Sequence, residues 1–159
     1  MDEVFHATSL GRDQAHKAYP LIHALNPAVT LGQWLAFVRK CARVPERRGA
    51  MVAIMDGRGY LHALFRYRIE NELCRGRTIL VSDLVVGQLP GKAIRVAIIE
   101  AIRCFADRAD CVSVAIELPH SPAGICDVAM YHAFANAGFT PRNVTILRHE
   151  PHSRQSPLA

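Results

Sequence analysis

The chain has 159 residues, half of them hydrophobic and 21% charged, which fits one packed domain and excludes a disordered or fibrous class. Its formal charge of +5 and pI of about 9.2 favour anionic partners, yet the densest basic group, Arg39, Lys40, Arg43, Arg47 and Arg48, has no interleaved aromatics, so nucleic acid is a poor fit. Five cysteines without a CxxC pair, an N-terminus lacking a basic-then-apolar pattern, and no apolar run near ~18 residues argue against a zinc site, a disulfide framework, a leader or a membrane span, and set the expectation of a reduced, cytoplasmic protein.

Val4 to Thr8 fits a short first strand, and Asp13 to Leu25 repeats Ala15, Ala18, Leu21, Ile22 and Leu25 at helical spacing, with Pro20 expected to kink or restart the helix. Thr30 is placed to cap a second helix carrying Leu31, Trp34, Leu35, Phe37, Val38 and Cys41, which should end before Pro45. Ala50 to Met55, the turn Asp56-Gly57-Arg58-Gly59 and the β-formers of Tyr60 to Ile69 predict a hairpin. Although DGRG has the start of a dinucleotide-binding glycine pattern, its third glycine is missing and strand follows, so the turn reading is preferred.

Glu70 to Gly76 is expected to be a polar connection, and Arg77 to Val86 a buried strand with one acid, Asp83. After a loop from Gly87 to Gly91, the spacing predicts a helix over Lys92 to Arg108 with one apolar face, then a strand over Cys111 to Leu118. His120 to Ile125 is expected as a loop, and Asp127 as the cap of a helix over Val128 to Ala137 that Gly138 terminates. Val144 to Leu147 fits a last strand. The cysteine contexts are those of core positions. Residues 1–151 therefore make one α/β domain, and 152–159 a disordered tail.

Between strand and helix the loop Gln88-Leu89-Pro90-Gly91-Lys92-Ala93 has the form Q-x-x-G-x-A. A glycine here lets backbone approach a ligand, and free amides at a helix start beside a lysine favour a pyrophosphate; an ordinary strand-to-helix turn is the plainer alternative. With this loop, the helical pair containing AYPLIHAL, the hairpin, the strand GRTILVSDLVV and the late run AFANAGF, the chain resembles the GNAT superfamily of acyl-CoA-dependent N-acyltransferases over nearly its whole length. The resemblance implies a mixed, mostly antiparallel sheet flanked by helices, with a central strand–loop–helix–strand unit. It also implies that the fourth strand splays from the fifth to admit acetyl-CoA as cosubstrate. The pantetheine would then meet the backbone of Leu84, Val85 and Val86, and the pyrophosphate Gln88, Gly91, Lys92 and Ala93.

The implied reaction is direct attack of a primary amine on the thioester, with a general base and an acid for the leaving thiolate. The acceptor would be a small-molecule or protein amine, and a homodimer is a further possibility of the family. Two departures stand out: only Gly87 separates Val86 from Gln88, and Phe134 occupies the family's usual tyrosine position, four residues before Gly138. Tyr131, one turn earlier, is the substitute acid, with core packing as its plainer role. Asp83 is the best base, because an acid in TILVSDLVV must be bonded, paired or functional if buried; an exposed or neighbour-bonded acid is the alternative. Glu117 is a second candidate, while His120 and His132 fit surface or capping roles. His149-Glu150-Pro151-His152 is not HExxH, so no metal is expected. A GNAT-like domain that has lost catalysis and serves as an acyl-CoA sensor or interaction module is the alternative function.

Overall fold

The computed structural model describes residues 4–87, 91–118, 120–121, 124–125, 128–141 and 146–149. Strand β1 (Phe5–Ser9) leads through a short 3-10 turn at Arg12–Gln14 into α1 (Ala15–Leu25), followed by α2 (Leu31–Cys41). Then come β2 (Gly49–Asp56), β3 (Leu61–Glu72), β4 (Gly76–Val86), α3 (Lys92–Arg108) and β5 (Ser113–Glu117). Two short strands, β6 (His120–Ser121) and β7 (Gly124–Ile125), pair with each other, and α4 (Val128–Asn136), β8 (Thr140–Pro141) and β9 (Ile146–His149) complete the described chain.

The main sheet has the order β1-β2-β3-β4-β5-β9-β8, and of its pairings only β4 with β5 is parallel. Antiparallel neighbours can be joined by short turns, whereas a parallel pair needs a crossover, here α3. Both faces of the sheet are covered, which is why β2 reads as an unbroken apolar run rather than an alternating one. Val52, Ile54, Phe65 and Ile79 pack toward α3 and α4 with Ile98, Ile102 and Phe134. Met51, Ala53 and Leu64 face α1 and α2, meeting Ala18, Ile22, Trp34 and Val38.

Several local expectations change. Pro20 lies within α1 without ending it, and α1 starts at Ala15 rather than Asp13. The polar stretch from Glu70 to Gly76 is mostly strand: Glu70, Asn71 and Glu72 pair with Thr78, Arg77 and Gly76, leaving a tight turn. Glu70 and Asn71 are exposed and Glu72 half-buried, so polarity and strand pairing do not conflict. The expected loop His120 to Ile125 holds the β6–β7 pair instead. Cys74 and Cys104 are exposed, contrary to expectation, while Cys41 and Cys111 are half-buried against the two core clusters. Asp127, Cys126 and the tail lie outside the described residues.

The start of α2 is fixed by a reciprocal cap: the Gln33 amide donates to Thr30 Oγ1 at 3.2 Å, and the Thr30 amide donates to Gln33 Oε1 at 2.9 Å. Two otherwise orphaned donors are satisfied at once. Replacing Thr30 by Ala is expected to cost about 1 kcal/mol, read as a lower urea midpoint with an unchanged m value.

Candidate active site

The site is built on the end of β4. Its ladder with β5 runs from the pair Thr78 and Ser113 only to the pair Val81 and Ile116, while β4 itself continues to Val86 alongside β3. Past Val81 one edge of β4 has no paired strand among the described residues. The Gly87 amide donates to the His62 carbonyl on β3 at 2.8 Å. Because successive backbone groups alternate in direction along a strand, the amide and carbonyl of Val86 point the other way, to the open edge. Gly87 fits closely here: a Cβ would lie 3.1 Å from the His62 carbonyl oxygen and 3.3 Å from Leu21 Cδ1, so the neighbours would have to shift by a few tenths of an ångström.

The divergence coincides with a bulge. Arg66 pairs with Ser82 and Leu64 with Val85, so Asp83 and Leu84 together oppose Phe65. Asp83 takes a left-handed backbone with φ of 52°, a conformation that Asp tolerates better than most side chains. Leu84 is then 4% exposed within the core on the α3 side, Val85 packs on the α1 and α2 side, and Val86 returns to the α3 side.

Asp83 is not buried, contrary to the premise that singled it out: its side chain is 46% exposed. Arg66 Nε lies 3.1 Å from Asp83 Oδ2, and Ser82 Oγ donates to the same oxygen at 3.3 Å. The outward turn at the bulge is what brings this carboxylate out of the sheet. It lines a cleft of about 600 Å³ whose other walls include Trp34, Phe37, Leu64 and Val85.

Gly91 is the N-cap of α3 in extended conformation, and no side chain caps the helix. A Cβ on Gly91 would sit 3.8 Å from the Ala93 amide and 4.0 Å from that of Ile94, ordinary contact distances, so this position faces those donors while glycine brings them no side-chain oxygen. Lys92 and Ala93, in the first turn, are exposed. Leu84, Val85, Val86, Gly91, Lys92 and Ala93 thus follow one another along the strand and helix flanking the loop, while Gln88 lies outside the described residues. Tyr131 is on α4, half-buried against the core on the α3 side, with its ring edge-on to His132. Phe134 is fully buried and packs edge-on against Phe139 with centroids 5.1 Å apart.

One polar pair beside the site was not anticipated. His62 Nε2 and Asp56 Oδ2 are 2.9 Å apart and both residues are buried. Asp56 Oδ1 accepts the amides of Arg58 at 2.9 Å and Tyr60 at 3.0 Å, closing the β2–β3 turn. The hydrogen bond from His62, helped by these amides, holds the Asp56 carboxyl below its ordinary value although burial works the other way. Since His62 also receives Gly87, the pair anchors the point where the chain leaves the sheet. An acid before a glycine turn and a histidine six residues later were the only signals in the sequence.

No family model matches the chain and no curated protein resembles it in sequence. Solved structures do resemble it. Glucosamine-6-phosphate N-acetyltransferase from Arabidopsis thaliana superposes with a TM-score of 0.67 at 17% identity, covering 90% of this chain and 96% of that one. Mutant forms of spermidine/spermine N-acetyltransferase from Vibrio cholerae give 0.65 at 12% identity, covering 92% and 95%. An acetyltransferase of the GNAT family from Streptococcus pneumoniae gives 0.65 at 10%, covering 92% and 99%. The chain has a divergent GNAT-like fold. Among the described residues no helix is long and apolar enough to cross a membrane, and no group of three or more His, Cys, Asp or Glu side chains is arranged to hold a metal.

The Asp56–His62 pair yields a pH signature. A carboxyl whose folded pKa is depressed contributes stability that is complete above the unfolded value, 3.8 for Asp56, and is lost as pH falls through the lower folded value. Asp56→Asn is therefore expected to melt below the parent at pH 7, with the gap narrowing once pH drops beneath about 3.8. A gap that stays constant down to acid unfolding would show that the carboxylate charge plays no part.

Proposed function

We propose that the chain is an acyl-CoA-dependent N-acyltransferase that moves an acetyl group from acetyl-CoA to a primary amine. The observation carrying this reading is the open edge of β4 on one side of residues 88–90 and, on the other, the start of α3 at Gly91, where no described side chain caps the helix. Strand amides and carbonyls beside a helix N-terminus suit a ligand with an amide-containing arm and a pyrophosphate. In this reading the arm lies along Leu84, Val85 and Val86, and the pyrophosphate on Gly91, Lys92, Ala93 and the adjoining Gln88. The solved neighbours support the choice, since all three are acetyltransferases and two of them are named for acceptors that carry amines.

Bound acetyl-CoA supplies an activated thioester carbonyl, at which an N–C bond forms as the C–S bond breaks. The chain's part is to hold the amine and take its proton. Asp83 is the proposed acceptor of that proton, since its carboxylate lies at the bulge next to the open edge and lines the neighbouring cleft. Tyr131 is the proposed donor to the departing sulfur, and Phe134, fully buried and without a hydroxyl, has no such role. That burial also favours a second reading, a GNAT-like domain that binds acyl-CoA without turnover.

Isothermal titration with acetyl-CoA is expected to give a dissociation constant between ~1 μM and ~1 mM; the absence of heat or thermal shift at millimolar ligand would sink the proposal. Gly91→Asp separates the ligand site from the fold. A carboxylate there caps α3 and leaves stability unchanged or a few tenths of a kcal/mol higher, while covering the amides and repelling the pyrophosphate, so affinity for acetyl-CoA should fall about tenfold or more. Asp83→Asn should lower kcat by ~10²- to 10⁴-fold with acetyl-CoA affinity retained. Affinity without any turnover in the parent, over a broad panel of amines, would favour the sensor reading.

A further inference from the structure

We infer that the acceptor is a monoamine with an aromatic or branched apolar body, bound in the cleft between α1, α2 and the sheet with its ammonium at Asp83; this rests on the acyltransferase reading above. At about 600 Å³ the cleft has the size of a small-molecule pocket, and such pockets take their specificity from a few polar groups in an apolar lining. Among the described residues that line it, Asp83 is the one that is formally charged. Its Oδ2 is engaged by Arg66 and Ser82, and among the described residues Oδ1 is left for an incoming ammonium. Two further polar lining residues have their oxygens committed locally: Asn26 Oδ1 accepts the Ala28 amide, and Gln33 Oε1 accepts the Thr30 amide.

The apolar wall leads directly to that carboxylate. The Trp34 indole is fixed by a 2.7 Å bond from Nε1 to the Ala15 carbonyl and stacks on Phe37 with centroids 6.1 Å apart. Arg66, which grips Asp83, lies 5.4 Å over the other end of this platform, on the Phe37 ring. At the mouth, Leu25 is 49% exposed, a cost that an apolar ligand would remove. Among the described lining residues a polyamine would find no second carboxylate for its further ammonium groups, and a phosphate-bearing amine neither Lys nor Arg.

The chain has a single tryptophan, and it lines the cleft, so its fluorescence reports binding there without any cosubstrate. Titration of the full chain with 2-phenylethylamine is expected to change Trp34 emission saturably, with spermidine and glucosamine 6-phosphate weaker by about tenfold or more. Thiol release from acetyl-CoA should rank the three amines in the same order by kcat/KM. Leu25→Glu, at an exposed position where the fold tolerates charge, should weaken 2-phenylethylamine and strengthen spermidine. Acetyl-CoA binding together with unchanged Trp34 emission at millimolar 2-phenylethylamine would overturn this inference and leave the acyltransferase reading intact. Preference for spermidine or the phosphate amine, or a Trp34 response to octanoyl-CoA in place of the amine, would also overturn it. Saturable amine binding without acetyl-CoA binding would uphold the cleft's ligand class and defeat the acyltransferase reading alone.

Discussion

A β-strand hydrogen-bonded along both edges has no backbone groups left for a ligand. In this protein the release of one edge of β4 is the constraint from which the site follows. The parallel ladder with β5 ends at Val81 and Ile116, and the continued pairing with β3 to Val86 keeps the released segment extended. Without β3 the end of β4 would be a loop, with the entropy of a loop to lose on binding. Without the early end of the β5 ladder it would be a sealed sheet interior. The Gly87 bond to His62, itself gripped by Asp56, holds this geometry at its far end.

The bulge at Asp83 has a packing cause before it has a chemical one. Ile79 and Val81 pack toward α3, and so do Leu84 and Val86, while Val85 packs toward α1 and α2. Three positions separate Val81 from Leu84, so strict alternation would send Leu84 to the wrong face, and one extra residue restores the phase. A left-handed non-glycine residue costs roughly 1–2 kcal/mol, and a half-exposed ion pair such as Arg66 with Asp83 returns less than that. The core register, burying Leu84 almost completely, provides the rest. The outward carboxylate is thus a consequence of filling two hydrophobic layers with one strand.

The order of elements was legible because helical spacing, the DGRG turn and the Thr30 cap are local signals, and all three appear where the sequence puts them. The exposure of Asp83 was harder to see, because Leu80, Leu84 and Val86 fit an unbroken alternation in the sequence and an acid within a hydrophobic run draws attention to burial first. What could not be read was pairing at a distance. Glu70 to Glu72 are strand because β4 lies opposite them, and the Asp56–His62 contact exists because a hairpin folds the two together. The cleft is less legible still, since Leu25, Trp34 and Asp83 come from three elements whose relative placement no local pattern encodes.

In the proposed acyl transfer, the absence of a hydroxyl at position 134 bears on rate more than on whether the reaction can occur. Phe134 is fully buried against Phe139, so a tyrosine there would need a partner for its hydroxyl or lose about 1–3 kcal/mol; the present packing has settled on an apolar contact. A thiol with an ordinary pKa of about 8.5 can depart as the thiolate and gather its proton from water, so a positioned acid contributes a factor and is not a requirement. Deprotonating the amine is the harder condition, because an ammonium has no lone pair with which to attack. The group that matters most in that proposed reaction is then a carboxylate near the open strand edge, and the bulge in β4 puts Asp83 in that position.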